Sequence, residues 1–215
     1  MANIERDKNI WKVIWLIWVS LVVTSVWALV HGAYSTTFFG IATLAASMGP
    51  TLIPRRYGVH LPTSVVVSIV VFAFGTVWAG EYFGAYDSLW WWDLWLHAGS
   101  AFGFGLIGVT LMMTLQYQDR LRANAWVLAL FAFGFSISIG VLWEIFEFIM
   151  DANFALNMQK SGLRDTMWDL IVNVIGGGLA ALLGYRYLKT KQAHEPITGV
   201  MAAVDESIEK NVFKN

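Results

Sequence analysis

Six stretches of this chain, near residues 10–32, 34–53, 62–82, 93–116, 125–150 and 167–188, are mostly apolar and each runs for about 20 residues. Such a length at 1.5 Å per residue matches the roughly 30 Å hydrocarbon core of a bilayer. Few other solvents tolerate so many long apolar segments in 215 residues. Charged residues make up 13% of the chain, whereas a soluble domain carries about 25%. The reading is therefore an all-α, polytopic membrane bundle of about six helices. The second stretch is the least apolar, holding Ser35, Thr36, Thr37, Ser47 and Pro50. The first follows Arg6, Lys8 and Lys12, but its apolar run exceeds a signal peptide's and no A-x-A site follows, so it reads as an uncleaved anchor. There is no cysteine, which excludes disulfides, thiolate metal sites and cysteine nucleophiles.

Charge supplies the orientation. Twelve of the 14 basic residues lie in the N-terminal tail, the 54–61 loop, the 117–124 loop and the segment after 185, on alternate sides of an even number of spans. Lys and Arg favour the cytoplasmic side, which puts both termini there. Only Lys160 and Arg164 belong to the outer half. Eight carboxylates gather on it: Glu81, Asp87, Asp93, Glu144, Glu147, Asp151, Asp165 and Asp169. Acids contribute little to orientation, so their position asks for another cause.

Their spacing suggests one. In W-D-L-W-L-H, Asp93 and His97 stand at i and i+4, and Ser100 extends the same face. In W-E-I-F-E-F-I-M-D, Glu144, Glu147 and Asp151 follow at i, i+3 and i+7, and in R-D-T-M-W-D-L-I-V-N, Asp165, Asp169 and Asn173 fall at i, i+4 and i+8. Three helices thus bring polar stripes to one level. A carboxylate at membrane depth costs several kcal/mol unless paired, protonated or bound to a cation. Lys160, Arg164 and a His97 cation are too few to pair them all. Either some acids hold protons or a divalent cation sits among them. Carboxylates with one imidazole suit Mg²⁺, Mn²⁺, Ca²⁺ or Fe²⁺, with Zn²⁺ also compatible. His31, near the outer end of the first helix, offers a second imidazole, whereas His60 and His194 fall on the cytoplasmic side.

A plainer account covers some of these residues. Asp93 and Asp165 stand at helix starts, where a carboxylate caps free N–H groups, and Glu81, Asp87 and Asp151 fit solvated positions. It does not cover Glu144, Glu147, Asp169 and Asn173, which lie inside apolar stretches on matching faces.

The three motifs W-D-L-W-L-H-A-G-S-A-F-G-F-G, L-W-E-I-F-E-F and R-D-T-M-W-D-L-I-V-N-V-I-G, in that order over about residues 75–188, resemble the YjdF-like family of uncharacterised bacterial inner-membrane proteins. The resemblance marks Asp93, His97, Glu144, Glu147, Asp165, Thr166 and Asp169. It implies a bacterial inner-membrane address and a six-helix layout, and no established activity. Arg164 stands where the family pattern suggests an uncharged residue, which invites pairing with a neighbouring acid.

Other motifs have simpler uses. Gly103-Phe-Gly105-Leu-Ile-Gly108 matches a dinucleotide fingerprint, but it lies inside an apolar helix with no strand before it. Gly99 and Gly103, and Ser136 with Gly140, give small-xxx-small faces for helix packing; Gly176-Gly177-Gly178 either packs likewise or loosens its helix. Trp90, Trp91, Trp92 and Trp95 fit an interfacial aromatic belt. Residues 1–191 form one membrane domain on this reading, and 192–215 a cytoplasmic tail. There Ile197, Val200, Met201, Val204, Ile208 and Val212 recur at helical spacing, beside acids that disfavour anionic lipid. A partner protein or a second copy is the expected contact. No basic patch points to nucleic acid.

The acids fit two kinds of protein. In the first, a membrane-embedded metal-dependent enzyme acts on a lipid or isoprenoid: Glu144, Glu147, Asp165, Asp169 and His97 hold the ion, and Asp93 orients His97 or moves a proton, with Asn173, Asp151 and Arg164 as polar support. In the second, the same acids form the cation or proton site of a small transporter or channel. A non-catalytic assembly subunit is a third reading, resting on the tail alone.

Overall fold

Helix ends in this chain are set by local backbone chemistry. At the close of the first helix Gly32 takes φ +75°, and Ala33 N–H donates to Ala28 O at 2.9 Å while Gly32 N–H donates to Leu29 O at 3.2 Å. This is the paired hydrogen-bond pattern that ends a helix on a left-handed residue, and glycine adopts that conformation without a Cβ clash. It separates α1 (Ala2–Val30) from α2 (Tyr34–Arg56). The computed structural model describes residues 2–56 and 63–190, together with Ala202 and Glu206. Pro54, Arg55 and Arg56, expected in the 54–61 loop, close α2 instead.

The remaining elements are α3 (Thr63–Phe74), which passes into a π-helical segment (Gly75–Tyr82), the single turn α4 (Ala85–Ser88), and three long helices, α5 (Trp92–Tyr117), α6 (Ala125–Phe154) and α7 (Leu163–Thr190). Among the described residues every regular element is helical. Helices occupy all six positions read from the sequence. Among the described residues four are long and apolar enough to cross a membrane: Trp11–Val30, Trp92–Tyr117, Ala125–Phe154 and Leu163–Thr190. The other two contain shorter apolar helices, Thr36–Ala45 and Ile69–Gly80.

The chain divides into two compact units, one ending at Trp92 and the other beginning at Asp93. In the first, Ile14, Trp18 and Val70 form a small core, and the Trp18 indole donates to Ser47 Oγ at 3.1 Å. Gly40 lies directly against Ser25, so α1 and α2 approach closely there.

In the second unit, α5, α6 and α7 turn their small and polar residues toward one another and their large apolar residues outward. Leu142, Ile145, Phe148 and Ile149 on α6 and Ile171, Val174, Ile175 and Leu179 on α7 are exposed, while Glu144, Glu147, Asp169 and Asn173 are buried. Water would penalise that arrangement through the bare apolar face, and lipid does not. The helices meet through small residues. A Cβ on Gly105 would stand 2.5 Å from Ala180 Cβ, and one on Gly108 would stand 2.8 Å from Ala132 Cα. Val109, Met113, Ala132 and Tyr187 form the core below, with Ala202 packed against it. The amphipathic pattern expected after residue 196 lies outside the described residues, as do His60 and His194.

The packing face of α5 differs from the expected one. Gly99 is exposed, and a Cβ on Gly103 would meet nothing within 4 Å. The inward stripe runs through His97, Ala101, Gly105 and Gly108, because burying the imidazole turns the helix so that 99 and 103 point away. The three glycines of α7 do not break it: Gly176 abuts the Ala98 carbonyl and Gly177 abuts Ser136, so they serve packing.

Candidate metal centre

His97 is the point at which the three helices of the second unit meet chemically. Its position on the inward stripe of α5 leaves the side chain 8% exposed. Nε2 lies 3.7 Å from Asp93 Oδ1, one turn earlier on the same helix, and Nδ1 lies 3.6 Å from Glu144 Oε1 on α6. Both separations are slightly beyond hydrogen-bond length. Among the described residues two sets of side chains could each hold an ion, Asp93 with His97 and Asp169, and His97 with Glu144 and Glu147; within each set the ligand atoms lie within 4.8 Å of one another.

Burial makes this more than a crowd of acids. Glu144 is 4% exposed, and Asp169 and Asn173 are each 1% exposed. Both carboxylate oxygens of Glu144 and Asp169, and both amide atoms of Asn173, are buried without a hydrogen-bond partner. Asn173 faces His97, and Glu144 faces Thr166, in each case outside ordinary hydrogen-bond geometry. An orphaned buried polar group costs about 1–3 kcal/mol, and a charged one more. Room for Asn173 is supplied by Gly140, where a Cβ would come within 2.6 Å of the amide nitrogen.

Of the buried acids Glu144, Glu147 and Asp169, Glu147 has a defined partner. The Trp143 indole, one turn earlier on α6, donates to its Oε1 at 2.9 Å. The spacing in W-E-I-F-E already carries this pair at i and i+4, but an aromatic in an apolar helix reads as a lipid contact, so the bond was not foreseen.

The remaining expected residues fall at the rim or outside it. Asp93 is 29% exposed and leads outward from the buried acids. Asp165 occupies the first turn of α7, half-buried, and the Lys160 ammonium attracts both it and Asp93. Asp151 has a separate task. Its two oxygens accept from Met158 N–H and Gln159 N–H, both at 2.8 Å, and so hold the loop between α6 and α7. That loop is tied again where Gln159 Nε2 donates to Thr166 Oγ1 at 2.7 Å. Arg164 is exposed and makes no ion pair among the described residues. Ser100 bonds back to His97 O, and His31 is exposed, bonded through Nδ1 to Trp27 O and stacked on the Trp27 ring.

Below this level the unit is closed. Ser136, fully buried, donates to Ala101 O at 2.6 Å, and the contacts of Gly105, Gly108 and Gly184 follow beneath it. Among the described residues the buried acids and Asn173 therefore occupy one end of the three-helix unit.

A family described as "Predicted membrane protein (DUF2238)" matches residues 13–190. An uncharacterized protein of Thermotoga maritima is 31% identical over 134 residues, which are 62% of this chain and 64% of that protein. The chain thus spans less than two thirds of that relative's length. No solved structure matches it.

Proposed function

The chain belongs to the predicted membrane protein family DUF2238, and from that premise we propose a membrane-embedded protein that binds divalent cations through His97, Glu144, Glu147, Asp169 and Asp93, with Asp165 at the rim. The observation that carries this reading is the set of orphaned acceptors: four carboxylate oxygens on Glu144 and Asp169, and the amide of Asn173, all buried. A cation among them would satisfy acceptors that the protein's own donors leave unmet. Asn173 and Ser100 then serve as polar support, and Trp143 orients Glu147 in the way that outer hydrogen bonds usually fix metal ligands.

Chemistry on a lipid or isoprenoid is the use this site fits best. An ion held there would activate water or polarise a phosphate or carbonyl oxygen, and Asp93, partly exposed at the rim, would pass a proton to solvent. The closed packing below Ser136 favours this reading over conduction through the same three helices, since a transported ion needs a polar way out on the far side. Full topology belongs to the proposal too: six spans in one membrane domain, both termini cytoplasmic, the bacterial inner membrane as its place, and the tail after 191 contacting a partner or a second copy. The YjdF-like resemblance of residues 75–188 lies within the matched region and is consistent with it.

Elemental analysis of detergent-purified protein tests the ion. Bound metal should fall in Asp169→Asn and Glu147→Gln; metal content unchanged in both variants counts against the site. Proteoliposomes then separate the uses, because an enzyme leaves an imposed cation gradient intact and a transporter dissipates it.

A further inference from the structure

The two nitrogens of one imidazole project from different edges of the ring, and in His97 each meets a different acid: Nε2 faces Asp93 and Nδ1 faces Glu144. The two ligand sets share His97 and no carboxylate. Unmet acceptors occur in both sets, on Asp169 in one and on Glu144 in the other. A single ion with ligands at about 2.1 Å cannot relieve both sets through the one ring, because its donors must lie within roughly 4 Å of each other around it.

Charge leads the same way. The five carboxylates Asp93, Glu144, Glu147, Asp165 and Asp169 are countered nearby by the Lys160 ammonium, which attracts Asp93 and Asp165. With all five ionised, Lys160 charged and His97 neutral, one divalent ion would cancel half of the remaining negative charge, and two would cancel all but the one charge gained when His97 gives up its proton.

Resting on the cation-site reading above, we propose that His97 divides the centre into two subsites, one with Asp93 and Asp169 and one with Glu144 and Glu147, each taking a divalent cation. A neutral imidazole has one lone pair to give and one N–H. The first cation takes the free nitrogen, and the N–H turns to the acid of the other set. The second cation takes the other nitrogen, the N–H bond breaks heterolytically, and the proton leaves to water. Borderline ions that favour imidazole, such as Co²⁺ and Zn²⁺, suit this sharing best.

Cobalt stoichiometry of the full chain in detergent, after removal of loosely held metal, tests the division. The wild-type protein should hold two equivalents, and Glu147→Gln and Asp169→Asn one each. Both substitutions keep side-chain shape and remove charge, and each variant is scored on its monodisperse fraction. One equivalent in the wild-type protein overturns the two subsites and leaves the cation reading standing. None overturns both. Two equivalents that persist in both variants place the ions elsewhere and also overturn the proposal, as does loss of both ions from either monodisperse variant.

Discussion

The Trp143 indole, 42% exposed on the apolar side of α6, donates its N–H to Oε1 of buried Glu147 at 2.9 Å. One residue thereby joins the lipid-facing surface to the candidate centre. Trp143→Phe keeps most of the aromatic area and removes only the donor. Loss of an orienting partner of this kind usually weakens metal binding by about 10- to 100-fold. A Co²⁺ titration should show the low end of that range, and an unchanged affinity would remove Glu147 from the ligands.

Glycine substitutions test how the helices meet. Gly176→Ala drives a Cβ into the Ala98 carbonyl, a backbone group that cannot swing aside, and should cost about 1–3 kcal/mol. Gly140→Ala presses on the Asn173 amide at 2.6 Å, a side chain that can turn, so its larger effect should be on cation affinity. Gly103→Ala meets nothing within 4 Å and should be neutral or stabilising by up to about 1 kcal/mol. Denaturant unfolding in mixed micelles ranks the three. Equal losses at 103 and 176 would contradict the packing described.

Ion binding is linked to stability. A ligand at 100 times its dissociation constant stabilises the bound fold by about 2.7 kcal/mol. Adding Co²⁺ to metal-free protein should therefore raise the unfolding temperature, and chelator should reverse the rise. Asp169→Asn should blunt the response, while the metal-free variant should melt at or above the metal-free wild type, since a neutral amide replaces an orphaned carboxylate. Melting curves that ignore both metal and chelator would refute the linkage.

The absence of native cysteine makes topology simple to read. A single cysteine placed at Lys160 and another at Arg122 sit in the loops at opposite ends of α6. An impermeant thiol reagent added to whole cells should label the first and spare the second. Labelling of both, or neither, argues against α6 as a span, and the reverse pattern inverts the proposed orientation.

Much of this architecture is legible in the sequence. Helix positions follow from runs of apolar residues, and the polar faces follow from i, i+3 and i+4 spacing, which any helix imposes on its own residues. Asp93 with His97, Glu144 with Glu147, and Asp169 with Asn173 were all legible in that way. Asp151 was legible as a member of the α6 stripe but not as the anchor of the Met158 and Gln159 backbone, because a loop's path is not periodic. Gly99 and Gly103 misled for a related reason. Small-xxx-small spacing identifies faces able to pack, and α5 has two of them.

What the sequence determined by itself is local: which segments are helical, which are apolar enough for a bilayer, and which acids share a turn. The tertiary structure decided the rotation of each helix about its axis. Interlocking small residues at 105, 108, 140, 176 and 177 set those rotations by allowing backbones to approach only where no side chain intervenes. From that rotation follow the two different neighbours of His97 and the burial of Asn173, relations between distant segments that no local spacing encodes.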